Sequence, residues 1–150
     1  MSRLFNLSVM LLLGLVCLGT TLAKPQEGMT REHATQLANE CKAETGATDE
    51  DVEQLMKHVA PESHEAKCLR ACVLKKFQIM DEAGKVNKEN AVQMVKAMSK
   101  HDAEKEDAPA DVVAKCEGIE TPPDHCDAAA AFEDCIYEQI KEHGLELEDH

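Results

Sequence analysis

The sequence from residue 68 onward is Cys-Leu-Arg-Ala-Cys-Val-Leu-Lys-Lys-Phe. Apolar residues recur every four positions, at Leu69, Val73 and Phe77, which is typical of one face of an α-helix. The two cysteines, Cys68 and Cys72, are also four residues apart, so their Cβ atoms lie about 5–6 Å apart on such a helix. A disulfide needs Cβ atoms roughly 3.5–4.5 Å apart. The two cysteines therefore cannot easily bond to each other, and this helix must be joined to two other segments.

A second cysteine pair lies on another predicted helix. Residues 126–135 are Cys-Asp-Ala-Ala-Ala-Ala-Phe-Glu-Asp-Cys, so Cys126 and Cys135 are nine positions apart. At 100° per residue, nine steps rotate the second cysteine to the opposite side of the helix, about 13.5 Å further along the axis. These two cysteines must also find separate partners. The exclusions reduce the number of possible connectivities but leave several open.

The first residues have the organisation of a secretory leader. Arg3 precedes an apolar run over residues 4–18, which leads into small residues and a plausible cleavage site after Ala23. A membrane-spanning helix needs roughly 20 apolar residues, and this run is shorter and contains polar side chains. We therefore expect residues 1–23 to be a signal peptide.

Cleavage would leave one domain, residues 24–150, in an extracellular fluid. One of the seven cysteines, Cys17, lies in the leader, so the secreted chain has an even set of six, which is typical of a disulfide framework. The formal net charge of the whole chain is −13. An acidic surface repels phosphates and anionic headgroups, so we expect no nucleic-acid partner and no membrane partner.

The remaining sequence favours an all-α fold of six helices. Apolar residues recur at helical spacing throughout, and no stretch alternates as a half-buried strand would. Capping residues, glycines and prolines mark the expected ends. The predicted helices run from Thr30 to about Glu44, from Thr48 to before Pro61, from Ser63 to about Met80, from Asn87 or Lys88 past Met98, from about Pro109 to Gly118, and from Asp124 to about Glu142.

The cysteine spacing resembles that of the insect odorant-binding proteins of the pheromone-binding and general-odorant-binding type. Those proteins have three residues between the second and third cysteines and eight between the fifth and sixth, and both gaps occur here. The resemblance covers residues 24–150. It implies six helices around an internal apolar cavity, with the first cysteine bonded to the third, the second to the fifth and the fourth to the sixth. In this sequence, those pairs are Cys41–Cys72, Cys68–Cys126 and Cys116–Cys135.

The resemblance also implies a secreted carrier of small apolar ligands such as odorants, pheromone-like or fatty-chain molecules. Candidate wall residues are the apolar faces of the helices that converge on the third and sixth, although apolar residues in such positions more often belong to the ordinary core. Tyr137 could donate a hydrogen bond to a ligand or point to solvent. The candidates are Leu55, Met56, Val59, Leu69, Val73, Phe77, Met94, Val95, Met98, Val113, Phe132, Ile136, Tyr137 and Ile140.

The tail after Gly144 is short and charged, so we expect no buried C-terminal helix. Its two leucines, Leu145 and Leu147, could cover a cavity mouth. No nucleophile and base pattern appears, so we expect no enzyme activity, and oxidised cysteines cannot bind zinc, so we expect no metal and no cofactor.

We expect a monomer or weak homodimer, with a chemosensory receptor as a candidate second partner. Two alternatives stay open from the sequence: a carrier outside olfaction, in another body fluid, and a lipid-interacting protein similar to saposins. The saposin pattern begins with a two-residue gap between cysteines, which is absent here.

Overall fold

Side chains cap the first turns of most helices in the computed structural model, which describes residues 28–148. Each cap accepts hydrogen bonds from backbone N–H groups that have no partner within the helix. Thr30 accepts from His33 N at 3.2 Å, and Ser63 accepts from Ala66 N at 3.0 Å. The six helices are α1 (Arg31–Thr45), α2 (Asp49–Met56), α3 (His64–Lys76), α4 (Lys88–Met98), α5 (Ala108–Cys116) and α6 (His125–Glu142), with one 3₁₀ turn at Ala103–Lys105.

Two helices end earlier than the sequence predicted. The third was expected to reach about Met80 but ends at Lys76, and α2 ends at Met56, well before Pro61. The chain turns where Gln78 and His58 adopt φ values of 56° and 57°. This left-handed region is uncommon for residues other than glycine and breaks the helical hydrogen-bond pattern.

The helices form a layered all-α fold in which α3 lies at the centre. One side of α3 packs against α6, and the other packs against α1 and α2, while α5 packs between α4 and α6. Two groups of buried side chains result, one centred on Phe132 and Ile136 and the other on Leu69 and Leu55. Residues 28–148 contain no β-strand and no helix that is long and apolar enough to cross a membrane. The predicted leader, residues 1–23, lies outside the described residues.

Three disulfides bind these helices together. Cys41–Cys72 joins α1 to α3, Cys68–Cys126 joins α3 to α6, and Cys116–Cys135 joins α5 to α6. These are the pairs that the resemblance implies. The bonds close segments of 31, 58 and 19 residues respectively. In the chain-entropy model, each bond stabilises the fold by roughly 3–4 kcal/mol, which matters in a core with few aromatic side chains.

Candidate functional site

A cavity of about 290 Å³ opens where α1, α2, α3, α4 and α6 converge. This volume is near the lower end of the range for small-molecule sites. The wall is largely apolar, with polar groups at a few positions. The lining residues are Met29, Thr30, Arg31, Ala34, Leu55, Met56, His58, Val73, Leu74, Phe77, Ile79, Met94, Ala97, Met98, Glu133, Tyr137 and Glu148.

Methionine is the commonest residue type in this wall. Met29, Met56, Met94 and Met98 come from three separate parts of the chain, the segment before α1, α2 and α4, and meet around the same space. All four are partly buried rather than locked in the core. An unbranched thioether side chain adapts to irregular shapes, so this wall can accommodate apolar ligands of different outline.

One region of the wall carries an ion pair between α3 and α6. The Arg70 Nη1 group donates to Glu133 Oε2 at 2.7 Å, and Nη2 donates to the Val59 carbonyl. Arg70 is 1% exposed and Glu133 is 5% exposed. Burial raises the pKa of the Glu133 carboxyl above its usual range, and the neighbouring Arg70 guanidinium acts against that rise. Of the two partners, only Glu133 lines the cavity.

Tyr137 follows Glu133 by one helical turn, so both side chains lie on the same face of α6. Burial raises the pKa of the Tyr137 phenol, with a further contribution from the Glu133 carboxylate, and Arg70 acts in the opposite direction. The ring contacts His58, with 5.5 Å between the ring centroids. The phenol therefore keeps its proton at physiological pH and can donate a hydrogen bond.

The C-terminal segment binds along the end of α4, beside the cavity. Lys100 N donates to the Glu146 carbonyl at 2.8 Å, and Glu148 N donates to the Met98 carbonyl at 2.9 Å. Leu145 is only 8% exposed and packs into the core. In residues 28–148 the tail forms no helix after α6. The tail thus places Glu148, rather than the leucines, at the cavity wall.

The structure brings half of the predicted wall residues to the cavity. They are Leu55, Met56, Val73, Phe77, Met94, Met98 and Tyr137. Six others, buried in the core, do not line it: Leu69, Val95, Val113, Phe132, Ile136 and Ile140. Val59 also lies outside the cavity and is 46% exposed, because α2 ends before it and the chain turns at His58.

Several cavity residues were absent from the sequence-based set. The sequence-based set was chosen mainly from apolar residues at helical spacing, so it omitted the polar residues Thr30, Arg31, His58, Glu133 and Glu148. It also omitted the apolar residues Met29, Ala34, Leu74, Ile79 and Ala97. One signal was present in the sequence: Arg70 and Glu133 each interrupt the apolar face of a helix. Opposite charges on two buried faces indicate a buried pair, since such residues are almost never fully buried alone.

A group near the Cys68–Cys126 disulfide has side chains that could hold a metal ion. Ligand atoms of His64, Asp124 and Asp127 lie within 4.8 Å of one another. However, Asp124 Oδ1 accepts from two backbone N–H groups at the start of α6, and Asp127 Oδ1 is 2.8 Å from Lys67 Nζ. Those oxygens already have structural partners, so the arrangement is explained without a metal.

Comparison with known protein sequences finds insect odorant-binding proteins. The model of the PBP/GOBP family matches residues 23–139. General odorant-binding protein 19d of Drosophila melanogaster is 75% identical over 150 residues, which covers 100% of both chains.

The solved structures that resemble this fold include insect odorant-binding and pheromone-binding proteins. Odorant-binding protein 28a from Drosophila melanogaster has a TM-score of 0.71 and 34% identity, over 76% of this chain and 94% of that one. A pheromone-binding protein from the cockroach Leucophaea maderae, solved in complex with the fluorescent reporter ANS, has a TM-score of 0.56 and 25% identity, over 72% of this chain and 92% of that one. The chain therefore belongs to the PBP/GOBP family of insect odorant-binding proteins, which are carriers rather than enzymes.

Proposed function

We propose that residues 24–150 form a secreted carrier that takes one small hydrophobic molecule into the cavity between α1, α2, α3, α4 and α6. The observation that supports this function most strongly is the cavity itself, whose wall is mainly apolar and rich in methionine. Membership of the odorant-binding family supports the same role. The protein would protect the ligand from water without changing it chemically.

The energy for uptake would come from removing the ligand from water. Each methylene group that becomes buried contributes about 0.8 kcal/mol, so a chain of ten contributes roughly 8 kcal/mol. Association costs an estimated 4–15 kcal/mol in lost freedom. The two quantities are similar in size, so binding requires walls that are already in place. The disulfides that anchor α3 to α1 and α6 supply that preorganisation.

The setting in which the carrier works is also part of the proposal. We propose that the protein is released into chemosensory lymph or another body fluid after loss of residues 1–23, and acts as a monomer or weak homodimer. A chemosensory receptor is the proposed downstream partner. The formal net charge of −13 for the whole chain becomes −14 when Arg3 is lost with residues 1–23, and this acidic charge favours solubility at high concentration.

Native mass spectrometry of purified residues 24–150 tests the function. The protein would be challenged with a panel of alcohols, aldehydes, esters and fatty acids, and we expect a complex of one ligand per chain with part of that panel. Displacement of the reporter ANS gives the affinities. If no member of the panel binds, or if the protein extracts lipid from liposomes without saturable uptake of ANS, the carrier function is wrong and the saposin-like alternative gains support.

A pair of matched variants shows where the ligand binds. Ala34 lines the cavity, so Ala34→Trp should fill the space and reduce affinity at least tenfold. Ala114 is exposed on α5, away from the cavity, so Ala114→Trp should leave affinity unchanged. Equal effects of the two substitutions would contradict binding in this cavity.

A further inference from the structure

Glu133 presents a carboxylate oxygen that the protein leaves without a hydrogen bond. Its Oε2 accepts from Arg70 Nη1 at 2.7 Å, and within residues 28–148 no hydrogen bond reaches Oε1. The side chain as a whole is 7% exposed, and Glu133 lines the cavity. Because Glu133 lines the cavity, a ligand that supplies a donor to Oε1 gains a hydrogen bond to a charged acceptor. The cavity therefore offers a strong, mostly buried acceptor in a wall that is mainly apolar.

The positive partner of this carboxylate does not itself line the cavity. Arg70 uses Nη1 on Glu133 and Nη2 on the Val59 carbonyl, is 1% exposed, and does not line the cavity. A ligand in the cavity meets the carboxylate directly, whereas the guanidinium lies outside the lining and interacts with the Tyr137 phenol. Arg31 and Glu148 also line the cavity but are exposed, with one charge of each sign. A second carboxylate placed beside Glu133 would thus be repelled in a low-dielectric space.

Tyr137 completes a polar pair on the same helical face. It lies one turn beyond Glu133, lines the same cavity, and has a phenol group that can both donate and accept. A hydroxyl group has the same two capacities. A ligand hydroxyl at this position could donate to one side chain and accept from the other, while its apolar body contacts the methionines.

We infer that the cavity selects neutral apolar alcohols, with the ligand hydroxyl donating to Glu133 Oε1 and accepting from Tyr137. The inference rests on the proposed function as a carrier and names its ligand class. Because Arg70 already balances the charge of Glu133, the site favours a neutral donor over an ammonium group. It disfavours carboxylates.

Displacement of ANS by matched ligands tests the inference on the unmodified protein at pH 7. We expect decan-1-ol to bind at least tenfold more tightly than 1-methoxydecane, which has no donor, and than decanoate. Decylammonium should also bind more weakly than decan-1-ol. Equal or tighter binding of the ether, decanoate or decylammonium would overturn the alcohol preference while leaving the carrier function intact. If ANS does not bind and no ligand is taken up, the carrier function itself fails.

Variants assign the preference to the two side chains. Tyr137→Phe keeps the ion pair, and we expect it to weaken decan-1-ol several-fold. The ether, whose oxygen can also accept from Tyr137, should weaken by a similar factor, whereas the hydrocarbon undecane should bind with unchanged affinity. Glu133→Gln keeps the size of the side chain but removes its charge. It should reduce the ratio of the affinities for decan-1-ol and decanoate about tenfold. Glu138→Gln, an exposed neighbour on α6, should change neither affinity.

Circular dichroism shows whether Glu133→Gln folds, since this change leaves Arg70 without its counter-charge. If it does not fold, Tyr137→Phe and the ligand series on the unmodified protein decide the question. An unchanged affinity ratio of decan-1-ol to undecane in Tyr137→Phe, or an unchanged ratio of decan-1-ol to decanoate in a folded Glu133→Gln variant, would overturn the assignment.

Discussion

At the scale of single residues, Arg70 and Glu133 stand apart from the apolar side chains around them. Their side chains are 1% and 7% exposed and meet at 2.7 Å across the interface of α3 and α6. Desolvation of two charges offsets much of their attraction, so the pair as a whole adds little net stability. Loss of one partner has a different consequence, because the other charge then remains buried without compensation.

Arg70→Met should therefore destabilise the fold by about 3–5 kcal/mol. The double variant Arg70→Met with Glu133→Leu should recover most of that loss, because no buried charge remains. Lys57→Met, which breaks an exposed pair with Glu53, is the control and should have a much smaller effect. Urea unfolding gives the free energy of unfolding of the two single variants and the double variant. If Arg70→Met is as stable as Lys57→Met, the ion pair between Arg70 and Glu133 is not buried as described.

At the scale of elements, the disulfides differ in the length of chain that they close. Cys68–Cys126 spans 58 residues and Cys116–Cys135 spans 19. In the chain-entropy model, the longer loop loses more freedom in the unfolded state, by about 1 kcal/mol. Replacing Cys68 and Cys126 by alanine should thus destabilise the fold more than replacing Cys116 and Cys135. Equilibrium denaturation of the two double variants gives the order, and the reverse order would contradict a mainly entropic role.

The start of α6 gives a pH-dependent prediction. The Asp124 carboxylate accepts from the N–H groups of Asp127 and Cys126, and these bonds hold its pKa below the usual range of an aspartate. Because the pKa is lower in the folded state, the ionised carboxylate stabilises the fold fully above the pKa of the unfolded chain. This stabilisation is lost as the pH falls through the pKa of the folded state. The stability difference between the unmodified chain and Asp124→Ala should accordingly shrink in acid.

Asp124→Asn provides the matched control, since asparagine also caps helices but does not titrate. Its stability difference from Asp124→Ala should stay nearly constant with pH. Thermal unfolding between pH 2 and pH 7 follows both differences. If the difference between the unmodified chain and Asp124→Ala does not shrink below pH 4, the cap does not depend on the ionised carboxylate.

Helix starts were easier to predict from the sequence than helix ends. Thr48 and Asp124 act on their own first turns, so the signal is local and α2 and α6 begin where the sequence predicts. The end of α3 depends on a distant contact: the Gln78 carbonyl accepts from Asn90 Nδ2 at 2.9 Å, and Asn87 N donates to the Ile79 carbonyl at 2.7 Å. No spacing rule reveals such a contact in advance.

At the scale of the whole molecule, helical periodicity identifies buried faces but does not divide them between core and cavity. Phe77 and Phe132 both lie on apolar faces, yet Phe77 lines the cavity and Phe132 is buried in the core. The difference depends on how α3 and α6 cross. The cysteine spacing was more informative, because it matches a family and thereby predicts the overall fold.

Ligand binding should also raise the stability of the whole fold. A molecule that binds only the folded state adds RT ln(1 + [L]/Kd), which is about 2.7 kcal/mol at a hundred times Kd. Decan-1-ol at that excess should raise Tm by several degrees in the unmodified chain. Ala34→Trp should show little of this shift, whereas Ala114→Trp should retain it. A shift of equal size in both variants would indicate binding elsewhere on the surface.

A hydrophobic ligand in the methionine-lined cavity lies against the methionine methyl groups, so these groups report its position directly. Met29, Met56, Met94 and Met98 line the cavity, whereas Met80 is buried in the core and does not. In NMR spectra of residues 24–150 with ¹³C-labelled methionine methyls, titration with decan-1-ol should shift the four cavity signals and leave that of Met80 nearly unchanged. Saturable binding that leaves the four cavity signals in place, or that shifts Met80 as much, would show that the ligand does not bind in this cavity.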